Sequence, residues 1–350
     1  MSRLTCPPRG RRRLAAALTV VAALTASAPV TASAEVQVAA GLRVETVVTG
    51  IPRPIQLTFD PAGRLVILSH GWRGDAAAEV YRFDVTALPL DASRAPRVVI
   101  PFSEDPRKVA LGSLAVDPRS GDLFLGEENG NRIYRLTAHG TLALFARGLN
   151  HLVGGSSVAF DTRGRLVVLD FASPEHRAEA PPPRALDSLS DEAYQGPLVL
   201  RLEPDEELPA PRRLDLVAPV FPKAPARRPG VEPLFRLISV AAGPSSGDLL
   251  VLSSIGEVSV LGDAGLRAFA RLPSGHFHRT HMAVGPDGSV FVSSGFHIRT
   301  LYRISPAGAV SIVAQELGDP GGIAVDRAGR LYVAEGAHHR IIRISPSADR

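Results

Sequence analysis

One short pattern recurs six times along this chain: an apolar strand, a tight turn that closes on glycine, and a second apolar strand. The first strands read Ile55-Gln-Leu-Thr-Phe-Asp60, Gly112-Ser-Leu-Ala-Val-Asp117, Ser156-Ser-Val-Ala-Phe-Asp161, Ile238-Ser-Val-Ala-Ala-Gly243, Thr280-His-Met-Ala-Val-Gly285 and Gly321-Gly-Ile-Ala-Val-Asp326. The turns close on Gly63, Gly121, Gly164, Gly247, Gly288 and Gly329. Glycine suits these positions because the hairpin needs a positive φ, which a Cβ penalises. A second strand follows each turn, as in Leu65-Val-Ile-Leu68 and Leu331-Tyr-Val333, and usually a third, as in Arg132-Ile-Tyr-Arg-Leu136 and Leu301-Tyr-Arg-Ile304.

A unit of ~40 residues with four short strands, repeated without helices between, predicts an all-β six-bladed β-propeller with four-stranded antiparallel blades. Within each first strand a large residue alternates with a small one. Leu57, Leu114, Val158, Val240, Met282 and Ile323 are expected between neighbouring sheets. Thr58, Ala115, Ala159, Ala241, Ala283 and Ala324 are expected to face a crowded central axis. The last repeat ends after its third strand, while Arg43–Thr49 precedes the first repeat as an orphan. The economical reading is that this N-terminal strand completes the last blade and closes the ring without exposed edges.

Residues 1–34 read differently. Arg9, Arg11, Arg12 and Arg13 precede an apolar run from Leu14 to about Ala26, and Ala32-Ser33-Ala34 offers an A-x-A cleavage site. This is the pattern of a secretory signal peptide, too short in its apolar core to span a bilayer, which needs ~20 residues. The paired arginines raise a twin-arginine route as an alternative to the general one. The expectation is therefore an exported, periplasmic or extracellular protein whose single propeller domain occupies residues 35–350. Removing the signal takes away five arginines and Cys6, so 34 basic residues face 35 acidic ones and no cysteine remains. The basic balance of the full chain then says nothing about nucleic acid, for which a basic stripe and aromatic platforms are also missing.

The strand order places candidate site residues on one face of the ring. At the second position of the first strands stand Gln56, Ser113, Ser157, Ser239, His281 and Gly322; at the exits of the second strands stand Ser69, Glu127, Asp170, Ser253, Ser294 and Glu335. The carboxylates Glu127, Asp170 and Glu335, with His281, are candidates for a divalent cation or for acid–base work. The competing reading is that such carboxylates cap the following turn through backbone N–H groups. His278 and His281 lead into the fifth repeat, and His151, His297 and the lone Trp72 fall on comparable rim loops. Histidines at this spacing suit a metal or simply solvated loops. Two Pro-rich insertions, 171–197 and 220–236, lie on the same rim and are read as either a partial cover or surface loops. No H-E-x-x-H, phosphate loop or dinucleotide fingerprint occurs.

The last repeat, Pro320-Gly-Gly-Ile-Ala-Val-Asp-Arg-Ala-Gly-Arg-Leu-Tyr-Val-Ala-Glu335, resembles an NHL repeat. Residues 42–345 as a whole resemble the six-bladed calcium-dependent-phosphotriesterase-like propellers, which include the SMP-30/gluconolactonase group and NHL-type binding proteins. That resemblance implies the fold and leaves the activity open between binding scaffolds and enzymes. The gluconolactonase group takes metal ligands from the starts of inner strands, which here correspond to Ile55, Ser156 and Thr280 or Gly321; none is a good cation ligand. Propeller amidating lyases place zinc histidines at the same starts, where this chain offers His281 one residue out of register. Quinoprotein sugar dehydrogenases are echoed by Val48-Thr-Gly-Ile-Pro-Arg-Pro54 and His151-x-x-Gly154-Gly155. The reading adopted is a monomeric exported propeller that binds a small molecule or protein partner at the face bearing the insertions, with no membrane span. The alternatives are a lactonase or esterase with a rewired metal site, and then a sugar dehydrogenase.

Overall fold

The structure is a computed structural model; it describes residues 35–70, 77–100, 110–128, 132–149, 157–172, 196–204, 211–214, 217–221, 236–243, 245, 247–273, 275 and 277–347. The segment read as a signal peptide, and most of both insertions, lie outside these residues.

Six sheets form. Blade 1 runs Pro54–Phe59, Leu65–Ser69, Ala78–Phe83 and Arg97–Ile100. Blade 2 runs Ala110–Val116, Leu123–Glu128, Arg132–Leu136 and Leu142–Arg147. Blade 3 comprises Val158–Phe160, Leu166–Ala172 and Gly196–Leu202. Blade 4 has Leu237–Ala242, Leu249–Ser253, Glu257–Gly262 and Gly265–Arg271. Blade 5 has Met282–Val284, Val290–Ser293, Leu301–Ile304 and Val310–Gln315. Blade 6 starts with Pro320–Val325, Leu331–Glu335 and Arg340–Pro346. Its fourth strand is Leu42–Thr49, from the other end of the chain, with Val44 opposite Ile344 and Thr49 opposite Arg340.

The blades are not uniformly four-stranded as the repeat predicts. Short fifth strands cover the outer edges of blade 2 (Arg212–Arg213, parallel), blade 5 (Gln37–Val38, antiparallel) and blade 6 (Leu90–Asp91, parallel). Among the described residues blade 3 has three strands, and its fourth place is held by a single bridge, Val199 to Phe221.

The turn chemistry explains the repeats locally. The six turn glycines have φ between +75° and +89°. In three turns the preceding aspartate fastens the hairpin: Asp60, Asp161 and Asp326 each accept from the backbone N–H and the guanidinium of the arginine four residues on.

One apolar cluster fills each seam between consecutive blades, the sixth joining blade 6 to blade 1. These clusters correct the expected role of the small residues. A propeller sheet presents its faces to its neighbours rather than to the axis, so Ala115, Ala159, Ala241, Ala283 and Ala324 lie in seams. Each meets the large residue of the next blade: Ala115 shares a cluster with Val158, Ala159 with Val240, Ala241 with Met282, Ala283 with Ile323, and Ala324 with Leu57. Sheets closest together near the hub accommodate one large and one small side chain per seam. Fully burying each Leu or Ile there contributes ~1.5–3 kcal/mol.

Candidate functional site

The hub is lined by the beginnings of the first strands, and their backbone is irregular there. Register shifts fall between Pro54 and Gln56, Leu111 and Ser113, Leu237 and Ser239, and Pro320 and Ile323. Such a bulge bends the strand and re-aims the neighbouring side chain. In four blades it therefore sits beside the residue at the second position.

Polar residues at that position stitch neighbouring blades together. The Gln56 Nε2 donates to the Gly112 carbonyl at 3.3 Å, linking blade 1 to blade 2. The Ser113 Oγ accepts from the Ser157 N–H at 3.0 Å, linking blade 2 to blade 3. The His281 Nδ1 accepts from the Ile323 N–H at 3.0 Å, linking blade 5 to blade 6. Gly322 occupies the sixth place because blades 6 and 1 press together there; a Cβ on it would lie 2.5 Å from both the Gln56 Cα and the Leu57 N. The stitching leaves two fully buried oxygens, Gln56 Oε1 and Ser239 Oγ, without a hydrogen-bond partner.

Burial pushes the His281 imidazole down to about 4, so it is neutral at pH 7. Because the Ile323 N–H can only donate, the His281 proton sits on Nε2, which leaves the ring a donor and not a base. His70 takes the opposite tautomer: its Nδ1 lies 2.9 Å from the Leu111 carbonyl and must donate to it.

The three carboxylates are buried and engaged in their own blades. Glu335 accepts from the Gly318 N–H at 2.8 Å and the Arg340 Nε at 2.5 Å, with the His338 Nδ1 at 3.4 Å. Glu127 accepts from the Tyr134 hydroxyl at 2.8 Å, and Asp170 from the Phe171 N–H at 2.8 Å. Serines at the equivalent exits do the same work: Ser253 accepts from the Glu257 N–H and Ser294 from the Thr300 N–H. Among the described residues no three His, Cys, Asp or Glu side chains stand together as a metal-binding group, so Glu127, Asp170, Glu335 and His281 are not gathered into one. His278 is half-buried on the approach to blade 5. Trp72, His151 and the His297 side chain lie outside the described residues.

The sequence reading missed the residues at the mouth of the hub. Arg53, Arg279 and Asp319 lie just ahead of the first strands of blades 1, 5 and 6, and all three have positive φ, at 40°, 54° and 57°. Non-glycine residues in this region are uncommon and cluster at binding sites. With Pro54, His70 and Gly321 they line a shallow depression. Arg53 lies 3.5 Å from Asp319, and its N–H donates to the His339 Nδ1 at 2.9 Å. The only signal in the sequence was Arg53-Pro54 and Asp319-Pro320 at the same point of two repeats, since proline biases its predecessor away from the right-handed helical region.

A family model for the NHL repeat matches residues 317–344, the three strands that this chain's C-terminal end contributes to blade 6. A search of curated proteins finds no match. Solved structures match the whole fold. A gluconolactonase from Xanthomonas campestris is 17% identical, covering 87% of this chain and 90% of that one, with a TM-score of 0.54. A Thermus thermophilus protein, provisionally assigned as an oxidoreductase (glucose dehydrogenase), is 20% identical over 87% of this chain and 100% of that one, with a TM-score of 0.54. Virginiamycin B lyase from Staphylococcus aureus is 13% identical over 89% and 100%, with a TM-score of 0.52. At these identities the likeness is one of fold. The chain is a six-bladed β-propeller that ends in an NHL repeat and shares its architecture with gluconolactonase-like and virginiamycin B lyase propellers.

Proposed function

We propose that this protein is an exported binding propeller that takes a small polar molecule at the hub mouth beside blades 5, 6 and 1. The observation that carries this reading is a buried, unpartnered acceptor beside that mouth, Gln56 Oε1 of blade 1, with a second such oxygen, Ser239 Oγ of blade 4, elsewhere around the hub. An unsatisfied buried acceptor costs ~1–3 kcal/mol, which a ligand or water donor recovers. Arg53, Arg279 and Asp319 at the mouth supply charged groups suited to a polar ligand. Export is supported by the arginine-rich, apolar and A-x-A pattern of residues 1–34.

The second reading is a lactone- or ester-opening hydrolase. It is supported by the gluconolactonase neighbour and by His281, whose Nε2–H is a donor suited to polarising a carbonyl. Thermal-shift screening of the dialysed protein against sugar acids, their lactones and other hydroxy acids tests both. A sugar acid that raises the melting temperature of the wild type, and not of Gln56→Leu or Ser239→Ala, is the expected result. Turnover of a lactone, abolished by His281→Phe, selects the hydrolase. A screen in which no compound shifts the wild type rejects the hub as a small-molecule site.

A further inference from the structure

The seam between blades 5 and 6 is built differently from the seams of blades 2 and 3 and of blades 3 and 4 on the face carrying the strand 1–2 turns. At the seam of blades 2 and 3 the third turn residue, Arg119, donates to the Gly164 carbonyl at 2.6 Å. At the seam of blades 3 and 4, Arg163 lies against Gly247, and Arg201 of the third strand donates to the Gly247 carbonyl at 2.8 Å. In blade 5 the place of Arg119 and Arg163 is taken by Asp287. The place of Arg201 is kept by Arg303, but Asp287 turns it back onto its own blade at 2.8 Å, with Ser289 at 3.0 Å. Neither position therefore sends a cation across to the turn of blade 6, and a Cβ built on Gly329 would meet nothing within 4 Å.

The result is a cleft of about 480 Å³, within the range of small-molecule sites. Its walls are Leu42, Phe291, Val313, Val325, Leu331 and Ile344. At its rim Asp287 and Arg303 neutralise each other. Arg327 is exposed there and has no carboxylate partner among the described residues, so the rim carries a net positive charge.

We propose that this cleft binds a small amphiphilic anion, its apolar body between blades 5 and 6 and its carboxylate or sulfonate at Arg327. The site lies on the face opposite the hub mouth and does not depend on the function proposed there. The probe is 1-anilinonaphthalene-8-sulfonate, which has two apolar ring systems and one sulfonate, followed by displacement with decanoate and with uncharged decanol. The folded wild type is expected to bind the dye saturably at one site per chain, with decanoate displacing it at least about tenfold better than decanol. Val325→Trp fills the cleft and is expected to lose dye binding at an unchanged melting temperature. Arg327→Glu is expected to weaken decanoate about tenfold and leave decanol unaltered. Should Val325→Trp fail to fold, the decanoate-to-decanol ratio in Arg327→Glu decides alone. Absence of saturable binding to the folded wild type overturns the proposal. So does dye binding that neither variant alters.

Discussion

His281 holds its Nδ1 under the Ile323 amide, and that single contact sets both its tautomer and its place at the hub. Its folded pKa of about 4 lies below the ~6.5 of an unfolded histidine. Between those values the unfolded chain takes up a proton that the folded chain refuses. The stability contributed by the neutral ring is thus fully present above pH ~6.5 and is lost as pH falls towards 4, by roughly 2–3 kcal/mol. His281→Asn keeps an acceptor for the Ile323 amide and cannot titrate. Its stability by urea unfolding should be flatter than the wild type's between pH 4.5 and 7, and an equal slope in both proteins would show that another group is responsible. Glu335 is the other decisive residue. Glu335→Ala leaves a buried Gly318 N–H and the Arg340 guanidinium without their acceptor, and should cost ~3 kcal/mol in denaturant unfolding. Glu335→Gln retains an acceptor for Gly318 and should cost less. A loss below about 0.5 kcal/mol in Glu335→Ala would mean that the carboxylate is not holding the blade, and would reopen its reading as a ligand.

The innermost strands of blades 6 and 1 make the tightest approach at the hub, and two glycine substitutions separate the causes of glycine's presence. Gly322→Ala drives a Cβ to 2.5 Å from backbone atoms of Gln56 and Leu57 that have no rotamer to escape into. Gly63→Ala adds a Cβ at a φ of +79° with nothing within 4 Å, so its cost is backbone strain alone, ~1 kcal/mol. Gly322→Ala should be destabilised clearly more, by ~2–3 kcal/mol, and thermal unfolding of the pair reads the difference. The same contrast shows what could be read from the chain in advance. Gly63 and its five counterparts were legible because the requirement for positive φ is local to the turn. The alternation of Leu57 with Thr58 was legible too, because a strand has period two, but its direction was misread: the two sides of a blade are its neighbours, not the axis. Gly322 was visible only as a missing side chain, since the strand it presses against lies over 260 residues away. Arg53 and Asp319 were missed for a related reason. An L-residue enters the left-handed region when distant groups hold it there, and the Arg53 N–H is held by His339. Bulges at Gln56 and Ser239 leave no local mark either, so the unpartnered oxygens at the hub emerge only from the folded chain.

At the scale of the whole molecule, the two ends of the chain meet in one sheet. Leu42–Thr49 pairs along the full length of Arg340–Pro346, Arg343 donates to Glu45, and Val47 and Val48 join the apolar cluster between blades 6 and 1. A linear stack of repeats unfolds as a sum of units and nearest-neighbour contacts, so its ends fray independently. A ring in which every blade has two neighbours has no end from which to fray. Removing residues 42–49 should convert one behaviour into the other. It strips the outer edge of the third strand of blade 6 and withdraws two fully buried valines, together worth ~3–5 kcal/mol before any ladder bonds are counted. The intact protein should melt in one calorimetric transition with equal van't Hoff and calorimetric enthalpies. The truncated chain should either fail to fold or melt broadly, with a van't Hoff enthalpy well below the calorimetric one and early loss of protection in the strands of blade 6. A truncated chain whose single transition falls within about 2 °C of the intact protein's would show that the terminal pairing adds nothing to cooperativity. The six seams would then have to hold the ring open-ended.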